Sequence, residues 1–417
     1  MKTKLFIILF IIIPLVLGLK LLAIRGKYLG TKASSTNWWE IQSIDTVKYS
    51  RDLAREKAKD SSFDEVIDTQ VRLIAETGAT HVAVGTPYAE EFVPFLKRWV
   101  SAARKYGLKV WFRGNVPGWE RWFGYPKIDR NEHTSLVREF ILANGALFEE
   151  GDIFSSCTEC ENGGPGDPRR SGDVAGHRNF LTEEYKITND AFRKIGKNVR
   201  SNFAPMNGDV AALVMDEETT NSLGNIVVID HYVGSTEKLA KDLKNIAEKS
   251  GGKVILGEFG APISNIHANF NEEEQATWIR LALSEISDIP ELMGVNYWTS
   301  FGGSTRLWDS DYRPRKAVEV IRGYYKPRVV EGLVSDERGK AVKKADVIVG
   351  SKQLLTTNSG IFVLPVNSEK VTITIQADGY ITQQLEIDSE KNIEIILIKG
   401  EENILFKIQK FIYQITH

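Results

Sequence analysis

The sequence predicts a (β/α)8 TIM barrel followed by a small all-β sandwich, and three observations carry that prediction. Strand-like and helix-like segments alternate from about residue 37 to residue 326. Two carboxylate clusters, one around Glu159 and one at Glu258, each follow a short apolar run and enter a glycine-rich turn. From Val329 onward the apolar period changes to two. Alternation alone also fits a doubly wound sheet; acids closing the fourth and seventh strands select the barrel, whose reactive groups sit at the C-terminal strand ends.

The elements follow in order. Asn37 to Ser43 opens the fold as strand one, and Phe63 to Thr77 is an amphipathic helix ending at Gly78. Thr80 to Gly85 is strand two, Phe92 to Tyr106 a helix, and Leu108 to Asn115 strand three. A helix at Ser135 to Phe148 leads into strand four, which runs through Asp152-Ile-Phe-Ser-Ser-Cys-Thr-Glu159. Helix Thr182 to Lys197, strand five around Val199 to Pro205 and a helix through Ala211 to Met215 come next. Strand six starts at Ile226, helix Glu237 to Lys249 follows, and Lys253-Val-Ile-Leu-Gly-Glu258 is strand seven. Helix Glu272 to Ile286, strand eight at Gly294-Val-Asn-Tyr-Trp298 and helix Pro314 to Tyr325 complete eight units. Short alternating strands then run from Val329 to Leu397, with turns such as Glu337-Arg-Gly339 and Asn358-Ser-Gly360. The domain limits are therefore 37–326 for the barrel and 328–399 for the sandwich.

Glu258 is the most informative residue, because an unbroken Val/Ile/Leu run reads as a strand buried on both faces and delivers a carboxylate into a turn. Such a Glu either caps the next helix or pairs with an Arg, or it is a reactive acid; the glycines around Phe259 leave backbone room for a ligand. Glu159 changes the balance. Two carboxylates on one barrel rim are what glycosidic cleavage needs, one protonating the leaving oxygen and the other attacking the anomeric carbon or activating water.

At this point the resemblance becomes specific. Gly257-Glu-Phe-Gly-Ala-Pro262 resembles the nucleophile strand of the retaining glycoside hydrolases of clan A, the superfamily that includes cellulases and β-mannanases. The Asp152 to Glu159 segment resembles their fourth strand, which implies Glu159 as acid/base and Glu258 as nucleophile. Thr158 stands where the clan usually has Asn, and Cys160 where it often has Pro, so Glu161, followed by Asn162, is an alternative acid/base. His231 and Tyr232 resemble the sixth-strand end that contacts nucleophile or sugar, with the usual spacing shortened by one, and Trp298 resembles the floor under the sugar ring. The mechanism implied requires the acid's pKa to be raised by the nearby Glu258 charge. Arg113 and Asn115, ending strand three, either orient the nucleophile, bind a hydroxyl or form a rim ion pair. Trp38, Trp39 and Glu40 are read as ending strand one and as further subsite candidates, with at least one Trp in the core.

The remaining composition narrows the classes. Fifty-three basic against 55 acidic residues give a net charge of −2, which favours no nucleic acid and suits a neutral polymer such as a polysaccharide. No Gly-x-Gly-x-x-Gly follows strand one, which argues against a dinucleotide, and no cofactor is expected. Cys157 and Cys160 are the only cysteines; zinc would need two more ligands, so no metal is expected and the pair is either a local disulfide or two small packing residues. Residues 1–25 have the charged start and apolar middle of an export signal, either cleaved or retained as a membrane anchor, and 26–36 form a linker. The protein is thus expected outside the cytoplasm, secreted or anchored at the cell surface. Gly332 to Lys340, Ala345 to Val349, Thr357 to Phe362 and Gly379-Tyr380 resemble the carboxypeptidase regulatory-like domain, a transthyretin-like sandwich, which implies fold and no chemistry. The tail 403–417 places Ile404, Leu405, Ile408, Phe411, Ile412 and Ile415 on one helical face, suited to a membrane surface or to docking on its own domains. Two rivals stand against the glycosidase: a metal-dependent hydrolase or lyase, for which His81 and His231 are too isolated, and a membrane-tethered carbohydrate-binding or adhesion protein without activity.

Overall fold

The computed structural model describes residues 36–350, 352–366, 368–389 and 392–400, which fall into two compact units meeting in sequence at Pro327 and Arg328. The export segment and the tail 403–417 lie outside the described residues. No helix among the described residues is long and apolar enough to cross a membrane.

The first unit is the (β/α)8 barrel. Its strands are β1 (Ile41–Asp45), β2 (His81–Val84), β3 (Lys109–Phe112), β4 (Ile153–Phe154), β5 (Pro205–Asn207), β6 (Ile226–Asp230), β7 (Lys253–Phe259) and β8 (Leu292–Tyr297). All neighbouring pairs are parallel, and β1 lies beside β8. The ring closes between β4 and β5 through Arg200, which precedes β5: Phe154 N–H donates to the Arg200 carbonyl at 2.9 Å and Arg200 N–H to the Asp152 carbonyl at 3.0 Å. Helices α1 (Phe63–Glu76), α2 (Val93–Lys105), α3 (Arg130–Ala143), α4 (Val174–Lys194), α5 (Gly208–Val214), α6 (Thr236–Ser250), α7 (Glu272–Ser287) and α8 (Lys316–Tyr325) alternate with the strands.

The burial pattern explains why the strands read as apolar runs. Ile41, Ala83, Trp111, Ile153, Phe203, Val228 and Ile255 form one cluster, with at least one member from each of six strands, and fill the barrel interior. The opposite strand faces, Ile44, Val82, Val110, Ile229 and Leu256 among them, pack under the helices in a second and larger cluster. Both faces are therefore dry, as parallel strands require. Helix starts are set by local chemistry: Asp129 with Glu132 and Asn271 with Glu274 make reciprocal capping boxes at α3 and α7.

Two expectations about strand ends need correction. Strand one begins at Ile41 and ends at Asp45, so Trp38, Trp39 and Glu40 stand before it, at the N-terminal end of the barrel. There Trp39 packs in the core against Tyr324 of α8, and Glu40 pairs with Arg200 at 3.0 Å. The large apolar Trp38 and Trp39 mimic a strand start, which puts the expected start at Asn37, four residues early. Strand four is also shorter than expected. Only Ile153 and Phe154 pair with β3, and Glu159 lies five residues further on in a loop.

The second unit contains β9 (Arg328–Asp336), β10 (Asp346–Val349), β11 (Lys352–Leu355), β12 (Ile361–Val366), β13 (Lys370–Gln376), β14 (Gln383–Asp388) and β15 (Ile393–Leu397). One sheet has the order β11-β10-β13-β14, the other β12-β9-β15, with β15 parallel to β9 and all other pairs antiparallel. Val330, Phe362 and Ile395 from one sheet and Val347, Ile373 and Ile375 from the other share a single apolar core. β11, with only Leu354 buried in Lys-Gln-Leu-Leu, was not expected from the sequence.

Candidate active site

The C-terminal ends of β1, β3, β6 and β7 bring one cation among three carboxylates. Arg113 directly follows β3 and is almost wholly buried; its Nη2 donates to Glu258 Oε1 at 2.8 Å and to Asp230 Oδ2 at 2.9 Å, and its Nε lies 3.4 Å from Asp45 Oδ2. Burial alone would favour loss of the Arg113 proton, but the carboxylates outweigh it and raise its pKa above the ordinary value. The same burial pushes Asp45 up to about 6 and Asp230 well above the usual carboxylate range, Arg113 opposing both shifts.

Glu258 presents both oxygens to donors. Oε1 takes Arg113, and Oε2 takes the Tyr232 hydroxyl at 2.9 Å. The carboxylate is therefore fixed from two sides, with Arg113 supplying counter-charge, and its own residue remains partly open to solvent. Gly257 makes this arrangement fit. A Cβ there would stand 2.5 Å from Asp230 Oδ1 and 3.0 Å from Arg113 Nη1, so the room it leaves is taken by the charge cluster. A Cβ on Gly260 would meet the Trp298 carbonyl at 2.4 Å. The expectation that these glycines clear space for a ligand is thus corrected: protein groups occupy it.

Trp298, at the end of β8, is half-buried and meets Tyr232 edge-on with ring centres 6.0 Å apart. Lys48 Nζ, from the turn after β1, lies 5.6 Å from the same ring. The peptide Trp298–Thr299 is cis.

Glu159 sits in a left-handed backbone conformation, φ 49° and ψ 55°, with its N–H donating to the Pro205 carbonyl at 2.8 Å. Its Oε2 accepts from Asn162 Nδ2 at 3.1 Å. Burial is the largest cause that pushes its carboxyl up to about 8, and the Glu258 charge is the second, ahead of Glu161. The expected direction is present, but its leading cause is desolvation.

The other candidates separate. Glu161 is 3% exposed and turned to β5, where Oε1 accepts from the Asn207 backbone at 2.7 Å and from its side chain at 2.8 Å. That makes it a strut for the β5 end. Asn115 is fully buried; its Oδ1 takes His133 Nε2 at 2.8 Å and the Val116 N–H, so it holds the loop instead of a sugar hydroxyl. His231 turns away from Glu258 to Asp242 Oδ2 at 2.8 Å, although its backbone N–H donates to the Glu258 carbonyl. Cys157 and Cys160 are joined as a disulfide. Among the described residues no group of three or more His, Cys, Asp or Glu could hold a metal ion.

No family model matches the chain, and no curated protein matches it. Solved structures do. A GH5_18 protein of Bifidobacterium longum subsp. longum in complex with Manb1-4GlcNAc is 15% identical over 72% of this chain and 84% of that one, at a TM-score of 0.51. A GH5_18 protein of Streptomyces cattleya in complex with the same ligand matches at 15% identity, 71% and 84% coverage and a TM-score of 0.51. The likeness is one of fold. The β-glucuronidase 2 of Bacteroides uniformis is also similar, at 14% identity over 80% of this chain and a TM-score of 0.45, and the chain spans 44% of that protein's length.

Asp45 and Asp230 were not among the sequence candidates, yet both close a buried strand; Asp230 ends the apolar run Ile226-Val-Val-Ile, whereas Asp45 follows Ile41-Gln-Ser-Ile. Glu120 and Trp122 were missed too, and no strand signal could have found them. Burial pushes the Glu120 carboxyl up to about 7, while Arg51, lying 4.9 Å from the Trp122 ring centre, draws it down.

Proposed function

We propose that the barrel is a retaining glycosidase of the clan A type acting on a β-linked glycan, with Glu258 as nucleophile and Glu159 as acid/base. One observation carries the reading: a carboxylate held between Arg113 and Tyr232 stands within electrostatic reach of a second carboxyl that its surroundings keep protonated near neutrality. That is the division of labour double displacement needs. Glu159 gives its proton to the leaving oxygen as Glu258 Oε attacks the anomeric carbon, forming a glycosyl ester. Once the Glu258 charge is consumed, one cause of the Glu159 shift disappears, and Glu159 takes a proton from the incoming water. Tyr232 and Arg113 orient the nucleophile. Trp298 offers an apolar face to a sugar ring.

We also propose export: the Cys157–Cys160 disulfide is of a kind that persists in oxidising compartments, and residues 1–25 have the pattern of an export signal. The test is incubation with β-mannan, glucan, xylan and galactan, with the anomer of the first product read by proton NMR. The Manb1-4GlcNAc bound by two proteins of similar fold makes β-mannosides the first arm. A β product supports the proposal; an α product would make the enzyme inverting, and no product from any glycan would favour a binding protein.

A further inference from the structure

Asp45, Asp230 and Glu258 each stand in a strand, but β4 does not carry the acid/base candidate Glu159. β4 ends at Phe154, and after Ser155 N–H donates to the Phe112 carbonyl at 2.9 Å the chain leaves the ladder. Glu159 then takes a left-handed conformation although it has a side chain, a state unfavourable for a non-glycine residue that persists only where the surroundings enforce it.

The enforcement is visible on both sides of Glu159. Cys157 and Cys160, each 2% exposed, close a ring around Thr158 and Glu159, with Cα atoms 5.3 Å apart. The ring is anchored outward in two places. Trp119 Nε1 donates to the Cys160 carbonyl at 3.0 Å, and Asn115 Nδ2 lies 3.8 Å from Cys157 Sγ. Asn115 is in turn held by His133, whose Nδ1 meets Glu184 Oε1 at 2.9 Å. A ring so short leaves Glu159 few alternative backbone states, and the loss of the bond would return that freedom to a loop with no strand to restore it.

We propose that the Cys157–Cys160 disulfide is a positioning device for Glu159, holding its carboxyl at the leaving-group side of Glu258. The proposal rests on the retaining-glycosidase reading for its kinetic consequence, but not for its structural one. The disulfide itself takes no part in bond making. Its effect reaches the reaction only through the place and surroundings of one carboxyl.

The experiment uses the full chain with Cys157→Ser and Cys160→Ser combined. With a dinitrophenyl glycoside, whose leaving group needs little protonation, kcat/KM for the glycosylation step should fall less than about threefold; with an unactivated disaccharide it should fall about 100-fold or more, the scale of lost general-acid assistance. Equal losses on both substrates, or no loss on either, would overturn the proposal. A second reading needs no turnover: selective carboxyl labelling of glutamate followed by carbon NMR titration, with Glu159 assigned by the signal missing in Glu159→Gln. In the double variant the Glu159 midpoint should drop from about 8 towards the ordinary carboxylate value as the side chain reaches water; an unchanged midpoint overturns the proposal. An inactive parent would refute the glycosidase reading while the titration still decides this one. Should the double variant not fold, the folded native chain is reduced with a phosphine, which is oxidised to its oxide as the disulfide takes up two electrons and two protons, and the same titration is read.

Discussion

The Tyr232 hydroxyl donates to Glu258 Oε2 at 2.9 Å, so the side chain next to His231, and not that of His231 itself, reaches the Glu258 carboxylate. Tyr232→Phe removes that one bond and leaves the ring against Trp298. A hydrogen bond to a charged group contributes about 1.5–3 kcal/mol, so kcat/KM should fall by roughly 10- to 150-fold. His231→Gln should cost much less, and a larger loss from His231→Gln than from Tyr232→Phe would contradict the geometry.

Glu258→Ala should abolish turnover of every substrate, because no glycosyl ester can form. Glu159→Ala should keep glycosylation by an activated aryl glycoside and stall at the ester, and added azide should restore turnover as a β-glycosyl azide. Rescue of Glu161→Ala in its place would transfer the acid/base role to Glu161.

Activity should follow the protonation of Glu159. Its folded pKa is raised to about 8, so the acid form is present below that value and kcat/KM should decline as pH rises through about 8. Stability has the same sign. A carboxyl whose folded pKa lies above its unfolded value makes unfolding easier as pH rises through the window between the two. Glu159→Gln should therefore raise the melting temperature at pH 8–9 relative to the parent and do little at pH 4, measured by calorimetry.

Arg113→Met leaves Asp45, Asp230 and Glu258 without their shared cation, and removing one partner from a buried pair costs about 3–5 kcal/mol. The loss in denaturant midpoint should be greatest at neutral pH and shrink on acidification, as the stranded acids take up protons. Equal loss at all pH values would mean that packing, rather than charge, is what Arg113 supplies.

Glu40→Gln serves as the opposite control. Its pair with Arg200 is partly exposed and lies before β1, so stability should change by about 0–1 kcal/mol and kcat/KM not at all.

The barrel is legible chiefly through β6 and β7, whose Val, Ile and Leu runs are buried on both faces and visible without any partner being known, whereas β1 (Ile-Gln-Ser-Ile-Asp) and β5 (Pro-Met-Asn) carry no such run. The same visibility held for Glu258, which continues such a run. It failed where position depends on contacts distant in the chain. Trp38 and Trp39 read as strand because they are large and apolar, yet β1 begins only at Ile41; Trp39 is the core tryptophan expected of the pair, stacked on Tyr324. Asn115, at the expected end of strand three, reads as a group that orients the nucleophile or binds a hydroxyl, yet His133, eighteen residues on in α3, occupies its oxygen. Asp230 ends the run Ile226-Val-Val-Ile much as Glu258 ends its own, but Asp45 follows Ile41-Gln-Ser-Ile, and neither is followed by a glycine turn that would single it out.

The two-residue β4 has a consequence for how the two carboxyl groups of the proposed reaction withstand heat. Glu258 is built into a seven-residue strand bonded on both sides, whereas Glu159 hangs from a loop beside the seam where Arg200 closes the ring. Local openings begin where backbone ladders are thinnest. On the proposed mechanism, warming should therefore silence cleavage of sugars with poor leaving groups while aryl glycosides are still attacked, so that the temperature at which turnover stops depends on the substrate used to ask.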